Sequence, residues 1–174
     1  SDAAAVGSVQ FVNSAGSVLQ TTPYTLAPRS SARIVRAGSS RDPQTGSVRI
    51  LSPALAFSVL TYKSNDVTVT QTAIPILRAV ERLRMYVESG PGVRTGIAIA
   101  NSSAAGAEVT LEAAGLTSSL SIPPNGQRAM FLDEAPGFSS LPAEFQGALR
   151  TTSDSPITAT GLSYRTNERG EVLI

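Results

Sequence analysis

The sequence predicts an all-β protein that contains two tandem antiparallel β-sandwich domains. One reason is an internal repeat, because three segments of the first half recur in the second half in the same order. The matched pairs are residues 26–35 with 122–131, 46–49 with 147–150, and 60–65 with 162–167, at offsets of 96, 101 and 102 residues. The other reason is a widespread alternation of apolar and polar residues, which is typical of strands with one buried face.

The predicted strands are short alternating segments separated by Gly, Pro, Asn and Ser. In the first half they cover residues 8–12, 17–19, 32–36, 47–51, 54–62 and 67–74. In the second half they cover residues 83–87, 96–100, 107–112, 119–122, 127–132, 147–151, 157–164 and 171–174. Segment 133–141 contains Pro136 and Gly137, so it holds at most one helical turn. A succession of strands without long helices favours an antiparallel sandwich over a βαβ sheet.

The join between the two domains is expected between Ile74 and Arg82, which gives domains of residues 1–78 and 79–174. Pro75 ends a strand there, and the charge balance changes sign. Residues 1–80 hold six Arg, one Lys and three acidic residues, for +4, and residues 81–174 hold seven Arg and ten acidic residues, for −3. The linker residues Ile76, Leu77 and Val80 are apolar, so we expect them to pack between the domains.

The first domain lacks a counterpart of the strand at residues 95–100. If Val9 is aligned with Val109, that counterpart falls before residue 1. We therefore expect the first domain to be incomplete at its N-terminus, with an open sheet edge along residues 8–12 that includes Val9 and Phe11. Open edges recruit other strands, so the expected partner is upstream parent sequence or another copy of the chain. The rival expectation is that the domain closes its own sheet with segment 76–88.

The composition limits the chemistry that the chain can perform. It has no His and no Cys, which excludes Ser-His-Asp and Cys-His nucleophile systems and ordinary zinc sites. Asp133 and Glu134 are adjacent, and successive strand residues point to opposite faces, so they are not expected to flank one bond. We expect no enzyme activity, no catalytic residue, no cofactor and no metal. A net charge of +1 does not indicate a nucleic-acid partner, and no apolar run is long enough to insert into a membrane.

Five arginines of the first half lie within 21 residues, with Asp42 as the nearby counter-charge. They are Arg29, Arg33, Arg36, Arg41 and Arg49. One interpretation is that they occupy outward positions on strands, opposite apolar neighbours. The other is a docking surface for anionic groups, such as the acidic second domain of a neighbouring copy. Arg33, Arg36 and Arg49 are the candidate interaction residues under this second interpretation.

Tyr62 and Tyr164 occupy equivalent positions in the two copies. A structural role, with the hydroxyl anchoring a sandwich corner, is favoured over a ligand role because the residue recurs in both. A carbohydrate-binding or adhesion module would need at least two exposed tyrosines or phenylalanines on one face, and the chain has four Tyr and five Phe for two cores.

Four segments of the second copy, together with the repeat, carry a resemblance to a known group of proteins. These segments are residues 94–101, 122–127, 145–150 and 167–171. They resemble tandem immunoglobulin-like β-sandwich modules found in long secreted or surface proteins of soil bacteria. The resemblance implies an immunoglobulin-like fold, a secreted or cell-surface location and a structural or assembly role. It implies no catalytic or binding residue. A carbohydrate-binding or adhesion module is the alternative, with a glycan as the partner.

Overall fold

The computed structural model describes residues 2–35, 45–51 and 54–174, and in these ranges the chain is all-β with antiparallel pairing. The strands are β1 (Ala5–Asn13), β2 (Val18–Leu26), β3 (Gly46–Leu51), β4 (Phe57–Ser64), β5 (Val67–Pro75), β6 (Val80–Gly90), β7 (Val93–Asn101), β8 (Ala107–Ala113), β9 (Leu116–Ile122), β10 (Gln127–Phe131), β11 (Phe145–Thr166) and β12 (Val172–Leu173). One 3₁₀ turn covers Leu132–Glu134, within the limit of a single helical turn that Pro136 and Gly137 predict for this part of the chain.

The second half, from Val80 onward, is organised around the long strand β11. The N-terminal part of β11 pairs with β6 and β8, and its C-terminal part pairs with β7 and β12. The register shifts between Thr152 and Ile157, where β11 changes partners. Residues 147–151 and 157–164, which the sequence predicts as two strands, are therefore parts of one. Both groups of strands bury one face in a common core, which is consistent with a β-sandwich.

The core of the second half follows from the alternation in its sequence. In β8, Ala107, Val109, Leu111 and Ala113 are buried, and the residues between them face outward. The loop after the 3₁₀ turn adds Phe138, which is fully buried. Each such large apolar side chain contributes about 1.5–3 kcal/mol on burial, so this half holds most of the hydrophobic stabilisation.

The first half forms two separate small sheets. One has the order β2-β1-β3, and the other is the hairpin of β4 and β5. The hairpin turn at Asn65 and Asp66 has both residues at positive φ, as two-residue hairpin loops require. Among the described residues before Val80, the only fully buried apolar side chains are Val9 and Val12. This half therefore has strands with suitable patterns and very little core.

The prediction of an open edge along residues 8–12 is wrong. β1 is the central strand of its sheet, with β2 along one edge and β3 along the other. Segment 76–88 does not complete this sheet either, because β6 pairs with β11. The alignment of Val9 with Val109 also needs correction. The pairing of β1 with β3 matches the pairing of β8 with β11 only if Val9 corresponds to Leu111.

The strand predicted at residues 32–36 does not form within the described part of that segment, residues 32–35, and Arg36 lies outside the described residues. The repeat equates this segment with β10, which pairs with β7. No described strand of the first half takes the place of β7, so a segment with a strand pattern lacks its partner. An isolated strand has no means of pairing its backbone groups.

The apolar linker does not pack between the halves as predicted. Ile76, Leu77 and Val80 are all exposed. Among the described residues, the halves meet instead where the β1–β2 turn and β3 contact the β9–β10 turn, and where Thr70 contacts Ile174.

Candidate functional site

Exposed apolar side chains are concentrated in the first half. Fourteen of the seventeen large apolar residues that are exposed in the described structure precede Val80, and they are Val6, Val18, Leu19, Val35, Val48, Leu51, Leu55, Phe57, Val59, Leu60, Tyr62, Val67, Ile76 and Leu77. Isolated exposed apolar residues are normal, and a concentration of them marks an interaction surface. Five of them lie in sequence on or next to β4 and occupy both of its faces, and we call Leu55, Phe57, Val59, Leu60 and Tyr62 the β4 surface.

The strands next to this surface have unpaired edges. Within the described ranges, β4 pairs with β5 along one edge and with no strand along the other. β3 likewise pairs only with β1. The corresponding edges in the second half are occupied, since β7 pairs with the C-terminal part of β11 and β6 with its N-terminal part. Unpaired edges present rows of backbone donors and acceptors to another strand.

The repeat shows what these residues do when the second edge is filled. Leu60 and Tyr62 match Leu162 and Tyr164, so β4 corresponds to the C-terminal part of β11. By the same offset Leu55 corresponds to Ile157. Ile157 is fully buried, whereas Leu55 is 99% exposed. Leu55, whose counterpart belongs to the core, is therefore in contact with solvent.

In the second half, β7 places two buried side chains beside the C-terminal part of β11. Ile97 and Ile99 are 2% and 1% exposed, and they lie opposite Gly161 and Ala159. On the outer face of these two strands, the ring of Tyr164 lies over Gly96. A Cβ added to Gly96 would come within 2.8 Å of the ring carbon Cε2. The strand that fills this edge therefore needs glycine at that position.

A polar cluster joins β6 to β11 beside this strand. The carboxylate of Glu88, which is buried, accepts hydrogen bonds from the Ser163 hydroxyl at 2.7 Å, the Arg165 guanidinium at 2.8 Å and the Tyr86 hydroxyl at 3.2 Å. The bonds from Ser163 and then Arg165 lower the pKa of Glu88 below its ordinary value. The sequence does not reveal this cluster, because Glu88 and Arg165 are 77 residues apart.

The second cluster contains Asp133 and Glu134, whose side chains are 51% and 54% exposed. Both carboxylates accept hydrogen bonds from one Arg94 nitrogen, at 2.8 and 3.0 Å, and Asp133 above all raises the pKa of Arg94. Their side chains converge because they lie in a 3₁₀ turn rather than in a strand. The Arg94 guanidinium also stacks on Phe131, at 3.8 Å from the ring centroid. This exposed ion-pair cluster orients Arg94 against the outer face of the sheet.

The candidate interaction residues do not form one surface. Val9 is buried in β1, and Phe11 is half-buried two residues later. Arg33 is exposed in an irregular segment, and Arg36 lies outside the described residues. Arg49 is half-buried and faces the second half of the chain.

Arg49 holds the two halves together, which is a role that the sequence does not predict. Its guanidinium donates to the Asn125 side-chain oxygen at 3.0 Å and to the Asn125 carbonyl oxygen at 2.6 Å. Beside it, the Gln127 backbone N–H donates to the Ser14 carbonyl oxygen at 3.0 Å. We call Ser14, Arg49, Asn125 and Gln127 the junction. The Arg49 side chain therefore binds another part of the same chain. The interpretation that Arg49 occupies an outward position on its strand is wrong.

Aromatic residues bear on the carbohydrate alternative. Phe138 and the Tyr24 hydroxyl are buried, whereas Tyr86 is exposed. Phe57 and Tyr62 are exposed, but they point to opposite faces of β4 because they are five positions apart. Tyr164 contacts Phe131 edge-on, with 5.2 Å between ring centroids, beside a shallow groove lined by Gly96, Ala98 and Ala129. Tyr164 therefore packs against Phe131 through its ring.

The described residues were also compared with the requirements of a metal site and of a membrane-spanning helix. In residues 2–35, 45–51 and 54–174, no three Asp or Glu side chains are grouped closely enough to hold a metal ion. The same residues contain no helix with the length and apolar character needed to cross a membrane.

Comparison with known proteins gives no match to a family model, a curated protein or a solved structure. The function is therefore argued from the residues of this chain.

Proposed function

We propose that this chain is a non-catalytic structural and assembly module of a secreted or cell-surface protein. It consists of two tandem immunoglobulin-like β-sandwich domains, residues 1–78 and 79–174, and the first is completed by a strand from another segment or subunit. The observation that carries the proposal is the contrast between Ile157, which is fully buried, and its repeat counterpart Leu55, which is 99% exposed.

The first half has an apolar strand pattern, but the side chains of that pattern are exposed. Val59 and Phe57 are 51% and 70% exposed, and each would add about 1.5–3 kcal/mol if fully buried. A second strand along β4 would place side chains beside them and would pair backbone groups at the same time. Stability that depends on an added strand couples folding of this half to assembly.

The junction supports a role in spacing and assembly. The guanidinium of Arg49 binds two oxygens of Asn125, and the Ser14 carbonyl accepts from Gln127. Hydrogen bonds to a charged group are worth about 1.5–3 kcal/mol each. They hold the incomplete half at a fixed position on the stable half, so that the β4 surface is presented in a constant orientation. The extracellular setting is supported by the resemblance to secreted bacterial modules.

Light scattering and dye binding test this proposal. Over a wide concentration range we expect the weight-average mass to rise above that of one 18.0 kDa chain, because the β4 surface associates, and we expect an apolar fluorescent dye to bind. The opposite net charges of the two halves favour head-to-tail contacts between copies. A monomer at every concentration that also binds no dye would contradict the proposal.

A carbohydrate-binding or adhesion module is the second candidate, and one observation favours it. The groove beside Tyr164 and Phe131 has Gly96, Ala98 and Ala129 in its lining, and sugars stack on exposed aromatic rings. A glycan array is the test. If the chain binds carbohydrate, we expect the wild-type chain to bind a glycan on the array and Tyr164→Ala to lose that binding. An array without hits would exclude this candidate for the glycans on the array.

A further inference from the structure

We propose that the second edge of β4 binds a strand of the β7 type from another polypeptide segment. The donor is an extended segment with a glycine followed by isoleucine or another aliphatic residue at alternate positions. It lies antiparallel to β4 in the register that β7 makes with β11. This inference rests on the proposed function, and it names the site and the chemistry of the partner.

The register follows from the repeat. Ile97 lies opposite Gly161 on β11, and the counterpart of Gly161 on β4 is Val59. Ile99, two residues further on, covers the position that corresponds to Phe57. The two aliphatic side chains of the donor therefore contact the core-facing side of β4. They lie beside Val59 and Phe57, which are exposed in the chain alone.

The requirement for glycine follows from the outer face of the same strand. Gly96 lies opposite Leu162, and a Cβ on Gly96 would come within 2.8 Å of the Tyr164 ring. Tyr62 is the counterpart of Tyr164 and is 37% exposed. With its ring over the donor in the same way, Tyr62 selects glycine at that position and rejects larger residues.

The donor also explains the segment that fails to form a strand. In the second half β7 has two partners, β11 on one edge and β10 on the other. The counterpart of β10 includes residues 32–35, which are irregular, with Val35 68% exposed. A donor on β4 would offer its free edge to residues 32–35, so binding should order both segments together.

The probe is a fluorescein-labelled synthetic peptide with the sequence of Val93–Asn101, titrated into the full chain and followed by fluorescence anisotropy. We expect saturable binding. Hydrogen–deuterium exchange of residues 57–64 should slow by about tenfold or more when the peptide pairs with their backbone amides, and exchange of residues 32–35 should slow with it. A peptide that carries G96V should bind at least about tenfold more weakly.

The matched chain variants are Val59→Asp and Val67→Asp. Both residues are exposed, on β4 and β5 respectively, so neither substitution removes a core side chain. Val59→Asp places a charge under the donor and should weaken binding by about tenfold or more, whereas Val67→Asp should leave binding unchanged. Leu55→Asp, at a residue that is 99% exposed, is a second variant if circular dichroism shows that Val59→Asp unfolds the chain.

Three results would overturn the inference: no binding of the wild-type peptide, equal binding to Val59→Asp and wild type, or equal binding of the G96V peptide. Light scattering separates this failure from failure of the proposed function. A chain that assembles with itself but ignores the peptide keeps the assembly role and loses the β7-type donor.

Discussion

Gly96 shows how one residue without a side chain allows two strands and an aromatic ring to come together. The ring of Tyr164 lies where a Cβ of Gly96 would point, and that ring is fixed by its edge contact with Phe131. The requirement is steric, because Gly96 does not have a positive φ.

We therefore expect Gly96→Ala to destabilise the chain by about 1–3 kcal/mol, the usual cost of overpacking. Urea denaturation followed by circular dichroism measures this. Gly90→Ala is the matched control, because nothing lies within 4 Å of its added Cβ, and it should have little effect. Equal effects of the two substitutions would show that the Tyr164 ring moves aside freely.

Glu88 gives the stability of the second half a dependence on pH. Ser163 and Arg165 hold its folded-state pKa below the ordinary value of 4.5. The ionised carboxylate therefore stabilises the fold at pH values above 4.5, and this contribution is lost as the pH falls through the lower folded-state pKa.

We expect Glu88→Gln to lower stability at pH 7, and the difference from wild type to shrink as the pH falls below 4.5. Urea denaturation at pH 7 and pH 3 measures both values. Glu112→Gln, at an exposed position of β8, should change stability little at either pH. A Glu88→Gln deficit that is the same at both pH values would mean that the carboxylate's charge is not what stabilises the cluster.

At the scale of elements, two strands with related sequences have different energies because they have different neighbours. The C-terminal part of β11 is covered by β7 on one edge and buries Ile157. β4 has only β5 beside it in the described structure and exposes Leu55. An alternating strand pattern stabilises the fold only where neighbouring residues bury its apolar side chains.

The two equivalent residues should therefore respond differently to truncation. We expect Ile157→Ala to cost about 2–5 kcal/mol, as for other buried aliphatic residues, and Leu55→Ala to stay within about 0.5 kcal/mol. Thermal or urea denaturation of the two variants measures the difference. A large cost for Leu55→Ala in the isolated chain would show that this side chain is buried in solution.

At the scale of the whole molecule, the stable half supports the half that has little core. The supports that the structure describes include the Arg49 guanidinium on Asn125 and the contact of Thr70 with Ile174, where the Thr70 hydroxyl lies 3.2 Å from the Ile174 carbonyl oxygen. Since the first half buries few apolar residues, polar contacts with the second half carry a large share of its stability.

We expect Arg49→Ala to destabilise the first half by about 1–3 kcal/mol, because it leaves the acceptors on Asn125 without their donor. Arg49→Lys should recover only part of this, since an ammonium does not reproduce the two-pronged geometry. Hydrogen–deuterium exchange of β1 and β3 measures the change, with the exposed residue Arg33→Ala as control. Equal exchange in Arg49→Ala and wild type would show that the halves are held by other contacts.

The sequence determined where strands can form, because apolar alternation is a local property that a few consecutive residues carry. It identified β8 and β7 closely, and the repeat related Tyr62 to Tyr164 before any contact was known. The tertiary structure decided which strands pair, because pairing joins residues far apart in the chain. It made β11 one continuous strand, placed β2 and β3 on both sides of β1, and left residues 32–35 outside any strand of the described chain. It also turned Arg49 toward Asn125, a contact over 76 residues that no local pattern records.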